Sequence, residues 1–154
     1  MKADALLDSN VLIAVLAEGH EHHVASLALL LAKKRAEFAV AAHSYAEVYS
    51  TLTRQGDHGP FRYSPVKAWA ALESVRAVTS LVGLTAAQTF AATRDFAKEG
   101  GIGARLYDKL IGEVAVAHEI SVIVTWNIGH MHSLFPALTV ATPKDFTRAS
   151  QTRS

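Results

Sequence analysis

The sequence has no cysteine among its 154 residues. Disulfide frameworks and zinc sites built from thiolates are therefore excluded. The sequence also lacks an excess of either charge, because 15 Lys and Arg against 14 Asp and Glu leave a formal net charge of +1. This balance disfavours a protein that holds nucleic acid through diffuse positive charge alone, although a local basic rim stays open.

Long hydrophobic runs and phosphate-binding loops are missing as well. The run Leu27–Ala32 is far shorter than the roughly 20 residues of a membrane span. Asp4, Asp8 and Asn10 interrupt the apolar residues near the start, which is atypical of a signal peptide. No G-x-x-x-x-G-K-[ST] motif occurs, so a P-loop is excluded. We expect a cytoplasmic protein with no membrane contact.

What is present indicates one globular α/β domain. Hydrophobic residues make up 50% of the chain and charged residues 19%, which excludes intrinsic disorder. Short apolar runs alternate with helical patterns, and this alternation predicts a parallel sheet covered by helices on both faces. We place the domain at residues 1–148 and expect the polar tail 149–154 to fray.

The predicted elements follow the alternation of hydrophobic residues. The strands are 5–7, 38–42, 78–84, 121–125 and 138–140. The helices are 11–16, 22–35, 44–54, 65–75, 85–98 and 106–119, with a last helical turn at 142–146. Helix 22–35 closes on Lys33-Lys34-Arg35, whose charges suit the negative end of the helix dipole.

Polar residues stand where these strands and helices meet. Asp8 ends the first strand, Thr125 and Asn127 follow the fourth, and Glu47 and Asp108 lie in the first turns of helices. Ligands of parallel sheets bind at the carboxyl ends of the strands, so these side chains could share one cleft. Carboxylates gathered there need a cation between them, and Mg²⁺ takes oxygen ligands. The set suits metal-assisted hydrolysis of a phosphodiester.

Each of these residues also has a purely structural explanation. Asp8 is a favoured N-cap, and Glu47 forms an S-x-x-E capping box with Ser44. Asp108 complements a helix dipole. Asn127 is typical of a turn. The group is therefore more informative than any one member.

Five segments carry a resemblance that covers nearly the whole chain, in order. They are Leu6–Ile13, Ser44–Tyr49 with Leu52–Arg54, Leu106–Ile111, Val124–Met131 and Thr142–Phe146. Together they resemble the motifs of PIN-domain ribonucleases, and the size is closest to the VapC-like toxins of bacterial toxin–antitoxin pairs. The resemblance implies a three-layer α/β/α fold and a Mg²⁺-dependent endoribonuclease, in which Mn²⁺ can substitute. It also implies a small antitoxin as partner.

The resemblance assigns roles to the same residues. Asp8, Glu47 and Asp108 would bind the metal, and Asn10 and Thr125 would support them.

Asn127 marks a departure, because the family usually has an acid there. Asn127 can still offer a carbonyl oxygen to the metal or its water, but it brings no charge. We therefore expect one strongly held metal ion.

Basic side chains near the acids are candidates for RNA contacts. Arg54, Arg105 and Lys109 could hold phosphates, and His130 could touch the substrate, with solvated surface positions as the alternative. The cluster His20, His22 and His23 is interpreted as a solvated loop that leads into a helix.

The sequence also leaves two alternative functions and a homodimer as possibilities. Asp8, Asp57, Thr85 and Lys109 have spacings loosely like those of a phosphoacceptor receiver domain, although Asp57 lies in a loop. A PIN-like binding module that has lost turnover is the other alternative, motivated by Asn127. Trp69, Phe61 and Tyr63 could serve a homodimer or antitoxin interface, or simply pack in the core.

Overall fold

The computed structural model describes residues 2–32 and 37–152. The predicted Lys33-Lys34-Arg35 cluster lies outside these residues. Strands and helices alternate as follows: β1 (Ala5–Leu7), α1 (Ser9–Leu16), α2 (His23–Leu31), β2 (Phe38–Ala41), α3 (Ala42–Thr53), α4 (Pro65–Arg76), β3 (Ser80–Val82), α5 (Ala86–Lys98), α6 (Arg105–Ala117), β4 (Val122–Val124), α7 (Ile128–Leu134), β5 (Thr139–Ala141) and α8 (Pro143–Thr152).

The five strands form one parallel sheet in the order β3-β2-β1-β4-β5. Its central strand β1 is buried throughout and consists of Ala5, Leu6 and Leu7. Leu7 is in register with Val40 of β2 and with Val124 of β4. The carboxyl ends of these three strands therefore lie side by side at one edge of the sheet.

Alternating side chains of the strands build a separate core on each face of the sheet. Leu7, Val40 and Val124 pack with α1, α2, α3 and α4 on one face. Leu6 and Ile123 pack with α6 and α7 on the other. The predicted three-layer α/β/α architecture with a central parallel sheet is confirmed.

Several element boundaries differ from the sequence prediction. Helix α3 begins at Ala42, directly after β2, and not at Ser44. The predicted loop after Trp126 contains the short helix α7. Helix α8 continues to Thr152, beyond the predicted last helical turn at 142–146, and residues 153 and 154 lie outside the described part.

Gly112 in the middle of α6 has a packing reason. A Cβ atom built there would collide with the ring of Phe135, which follows α7. The bare backbone thus allows α6 and the end of α7 to approach closely. No helix in the described part of the chain is long and apolar enough to span a membrane.

Candidate active site

Asp8 lies at the edge of the sheet, directly after β1. Its backbone N–H donates to the carbonyl of Val124 at 3.0 Å, which extends the pairing of β1 with β4 by one residue. Its Oδ1 accepts from the backbone N–H of Ser9 at 2.7 Å and so caps α1. Its Oδ2 accepts from the hydroxyl of Thr125 at 2.9 Å. Asp8 is therefore the predicted N-cap of α1, and it is also a buried carboxylate at the carboxyl edge of the sheet, with 5% of its surface exposed.

Thr125 and Asn10 hold this carboxylate in place. The Thr125 hydroxyl donates to Asp8 and accepts from Asn10 Nδ2 and from the backbone N–H of Asn127, each at 3.0 Å. Its one hydrogen and two lone pairs are then all used. Asn10 Oδ1 also accepts from the backbone N–H of Trp126 at 3.0 Å. The first turn of α1 is thereby connected to the loop after β4, and the structure places both predicted supporting residues next to Asp8.

Glu47 reaches the same edge from the second turn of α3. Its Oε1 accepts from the Ser9 hydroxyl at 2.7 Å, one residue after Asp8. The predicted capping box is wrong, because the N-cap of α3 is Ala41 and no side chain caps this helix. Ser44 is instead buried inside the helix, and its hydroxyl has no hydrogen-bond partner among the described residues. Capping therefore does not explain why Glu47 is at this position.

Asp108 lies in the first turn of α6 and is half-buried. Burial raises the pKa of Asp108 above its usual value. The charge of Glu47 raises this pKa further, whereas His130 and Arg105 oppose the increase. Asp108 is thus close enough to Glu47, His130 and Arg105 for each of them to affect its pKa.

The three carboxylates form one electrostatic group. Burial raises the pKa of Asp8 to about 6, and the charges of Asp108 and Glu47 add to the increase. The hydrogen bonds from Thr125 and Ser9 oppose it, and no cationic group is among the causes. Bringing these carboxylates together therefore costs free energy in the metal-free protein, and a bound cation would remove that cost.

The donor set fits a hard divalent cation. It consists of carboxylate oxygens in a site without thiolates, which is the ligand chemistry of Mg²⁺. Among the described residues, no three His, Cys, Asp or Glu side chains are close enough as they stand to ligate one ion together. Mg²⁺ commonly takes only one or two carboxylates and keeps several waters, so it does not need three converging side chains.

A second polar group lies beside Asp108 at the exposed rim. Asn127 is the N-cap of α7, but its side chain makes no cap hydrogen bond. The Nδ2 atom of Asn127 lies 3.0 Å from Nδ1 of His130, which follows three residues later on the helix. Nε2 of the same ring lies 3.2 Å from the guanidinium of Arg105. A turn role thus does not account for the side chain of Asn127, which belongs to this rim.

The other predicted RNA contacts divide into one exposed and one buried residue. Arg54 is exposed at the C-cap of α3, seven residues after Glu47 and so on the same helix face. The side chain of Lys109 is only 11% exposed and pairs with Glu113 at 3.2 Å and with Glu99 at 3.7 Å. Its burial and these two ion pairs make an RNA contact of the Lys109 ammonium group less favourable than one of Arg54.

Sequence reasoning missed His43 entirely. This residue lies one turn before Glu47 on α3, and burial lowers its pKa while the charge of Glu47 opposes the decrease. Its Nε2 is buried and has no hydrogen-bond partner among the described residues. The spacing of four residues between a histidine and a glutamate on one helix face is the signal that could have identified it.

The histidine cluster before α2 is more ordered than a solvated loop. The ring of His22 stacks on Trp126, with 3.8 Å between the ring centroids and 9° between the planes. Trp126 Nε1 donates to the buried hydroxyl of Ser26 at 2.8 Å. His23 Nδ1 lies 2.9 Å from the carbonyl oxygen of Ala14. The cluster therefore fixes α2 against α1 and against the loop that carries the site.

The receiver-like alternative finds no support in the fold. A phosphoacceptor needs a position at the end of a buried strand, but Asp57 lies in the exposed loop between α3 and α4. Thr85 is the N-cap of α5 and forms a capping box with Gln88. Lys109 is ion-paired as described above. These residues do not meet at one site.

The three aromatic residues considered for an interface differ in their exposure. Phe61 and Tyr63 pack against the core beneath α1, where the Tyr63 hydroxyl donates to the carbonyl of Leu16 at 3.0 Å. Trp69 is 60% exposed on α4 and lines a groove of about 460 Å³ with Tyr45. Of these three residues, Trp69 is exposed and the other two are half-buried.

Comparison with known proteins places this geometry in a family. The family model described as PIN domain matches residues 5–128. No curated protein sequence matches the chain.

Several solved structures have a similar fold. VapC20 of Mycobacterium tuberculosis, described as a sarcin–ricin loop cleaving toxin, has a TM-score of 0.62 at 18% identity, over 77% of this chain and 86% of that one. DNA-bound VapBC from Salmonella typhimurium has a TM-score of 0.64 at 19% identity, over 93% of this chain and 99% of that one. FitAcB from Neisseria gonorrhoeae has a TM-score of 0.57 at 18% identity, over 90% of this chain and 97% of that one. The chain belongs to the PIN domain family and shares its fold with the VapC toxin structures.

Proposed function

We propose that this protein is a divalent-metal-dependent endoribonuclease that acts as the toxin of a toxin–antitoxin pair. The observation that carries the proposal is the electrostatic group of Asp8, Glu47 and Asp108 at the carboxyl edge of the sheet. Its central carboxylate, Asp8, is buried, its pKa is raised to about 6, and no cation among the described residues opposes the increase. Perturbed carboxylates in such a position are typical of a functional site.

In this proposal Asp8, Glu47 and Asp108 bind Mg²⁺ either directly or through its bound waters, with Mn²⁺ as a possible substitute. The metal, when bound, polarises a phosphoryl oxygen and lowers the pKa of water so that hydroxide is available near neutral pH. Thr125 and Asn10 keep Asp8 in one orientation, and Ser9 does the same for Glu47.

The basic rim supplies the affinity for the RNA backbone. Arg105 and Arg54 are exposed, and their guanidinium groups suit phosphate oxygens. Because attack by water needs no 2′-hydroxyl, selection of RNA depends on the shape of the groove and on contacts outside the reaction centre.

The partners are proposed from the structural neighbours. The VapBC and FitAcB structures share the fold of this chain, and VapC20 is described as a toxin that cleaves the sarcin–ricin loop. We propose by analogy a cognate small antitoxin, an RNA substrate and a homodimer. A reading frame next to this one whose product co-purifies with the chain is the expected sign of the antitoxin.

The test is RNA cleavage by the purified chain with Mg²⁺ and with EDTA. Wild type is expected to cleave only with Mg²⁺, and Asp8→Asn is expected to lose cleavage while it stays folded by circular dichroism. Asp57→Asn, in an exposed loop, is the matched control and is expected to keep full activity. Specific RNA binding by wild type without cleavage under any metal would favour the binding module instead.

A further inference from the structure

The contact between Asn127, His130 and Arg105 has a chemical consequence for the side chain of Asn127. His130 Nε2 lies 3.2 Å from Nη2 of Arg105, and His130 Nδ1 lies 3.0 Å from the atom placed as Nδ2 of the Asn127 amide. A guanidinium group has only donors, whereas a neutral imidazole has one donor and one acceptor. These two contacts therefore restrict which ring nitrogen of His130 carries the proton and which atom of the Asn127 amide faces it.

Only one arrangement satisfies all three side chains. If Nε2 of His130 carried a proton, two donors would face each other across 3.2 Å, in the neutral ring or in the imidazolium alike. Nε2 must therefore accept from Arg105, and the ring proton must be on Nδ1. That proton needs an acceptor at Asn127, which the carbonyl oxygen Oδ1 provides when the amide is turned by 180°.

This arrangement decides which end of Asn127 is free. Its carbonyl oxygen is bound to His130, so its NH₂ group remains available at the rim of the site. Asn127 follows Thr125 by two residues, and His130 and Arg105 are close enough to Asp108 to lower its pKa. The free NH₂ thus belongs to the same rim as the exposed guanidinium of Arg105, through the contact of both side chains with His130.

We propose that Asn127 binds a phosphate oxygen of the RNA as a hydrogen-bond donor, positioned by His130 and Arg105, and is not a ligand of the metal. The proposal rests on the proposed function and adds a role for this rim. An acid at this position would repel phosphate, whereas an amide held by its oxygen attracts it. Arg105 supplies further donors to the same phosphate, because only part of its guanidinium is used by His130.

The first test reads the tautomer of His130 by ¹⁵N NMR of the metal-free protein. The spectrum is taken well above the usual imidazole pKa of about 6.5, and the His130 signals are those lost in His130→Gln. Wild type is expected to carry the proton on Nδ1, and Arg105→Ala is expected to shift the equilibrium toward Nε2. A proton on Nε2 in wild type would overturn the proposal. This readout does not depend on catalysis.

The second test separates metal binding from RNA binding. The probes are Mn²⁺, titrated by calorimetry without RNA, and a fluorescein-labelled oligouridylate, bound in EDTA and followed by anisotropy. Asn127→Ala is expected to weaken oligouridylate binding about tenfold and to leave the affinity for Mn²⁺ unchanged. Asn127→Asp is expected to weaken oligouridylate binding further, because it adds a negative charge at the rim.

Controls keep this proposal distinct from the proposed function. Ser133→Ala, exposed on the same helix, is expected to change neither affinity. Asp108→Asn reports on the metal site, and unchanged Mn²⁺ binding in that variant would count against the proposed function while the tautomer result stands. Weaker Mn²⁺ binding with unchanged oligouridylate binding in Asn127→Ala would make Asn127 a metal ligand and overturn the proposal.

Discussion

Replacing Asp8 with Asn tests whether the site is electrostatically strained before a metal binds. The folded protein holds the pKa of Asp8 at about 6, against 3.8 for the free carboxyl. A group whose pKa is raised on folding contributes stability at low pH, and this contribution is lost as the pH rises through about 6. The difference between the two pKa values corresponds to about 3 kcal/mol of unfolding free energy, and burial of Asp8 leaves little solvent to screen it.

Asn has the shape of Asp but no charge, so Asp8→Asn removes the pH-dependent cost. Its carbonyl oxygen can still cap Ser9, because Asn and Asp are equally good N-caps. The new amide group would require the Thr125 hydroxyl to turn toward Asn10 Oδ1, at a cost of about 1 kcal/mol that does not depend on pH. Comparison of two pH values cancels this cost.

The assay is urea unfolding of the metal-free protein near pH 3 and near pH 8, approximate values that lie below the free pKa of 3.8 and above the folded pKa of about 6. The stability of Asp8→Asn relative to wild type is expected to increase by about 3 kcal/mol from the lower to the higher pH. Asp57→Asn is expected to show no such increase, since Asp57 is exposed. A relative stability of Asp8→Asn that is independent of pH, or that falls at high pH, would refute the reasoning.

Three further variants test individual contacts. Glu47→Gln keeps the shape of the side chain but is expected to weaken Mg²⁺ binding and raise the Mg²⁺ concentration for half-maximal cleavage; a wild-type Mg²⁺ profile would contradict a ligand role. Lys109→Ala is expected to lower the unfolding free energy by about 1–3 kcal/mol, because Glu113 loses its partner, and to leave oligouridylate binding unchanged; weaker binding at normal stability would restore Lys109 as an RNA contact. Gly112→Ala is expected to lower the melting temperature through about 1–3 kcal/mol of overpacking against Phe135, and an unchanged melting temperature would show that the ring moves freely.

The layer architecture could be predicted because apolar runs and helical spacing report burial directly. The order of the strands could not, since Leu6 and Leu7 would be equally apolar at the centre or next to the edge of a sheet. The start of α3 was misplaced because Ser44 has the chemistry of a cap, whereas Ala41, the actual N-cap, offers no side-chain signal. Local chemistry was a weaker guide there than the direct passage from β2 into α3.

Part of the candidate site could likewise be predicted from the sequence, and part could not. The positions of Asp8 and Thr125 followed from strand ends, which the sequence marks clearly. The hydrogen bond between Ser9 and Glu47 joins residues 38 apart, and no local pattern indicates it. The ion pair of Lys109 with Glu113 was not predicted, because neighbours on a helix point about 100° apart and a residue next to Asp108 need not share its face.

The central claim is that metal-supported attack by water cleaves RNA at this site. The most direct measurement is end-group analysis of the cleavage products by mass spectrometry, after reaction with Mg²⁺ in H₂¹⁸O. Hydrolysis by water is expected to leave a linear phosphate monoester that carries one ¹⁸O atom, with no 2′,3′-cyclic phosphate, and no product is expected in EDTA. A cyclic phosphate, or cleavage that persists in EDTA, would contradict the account.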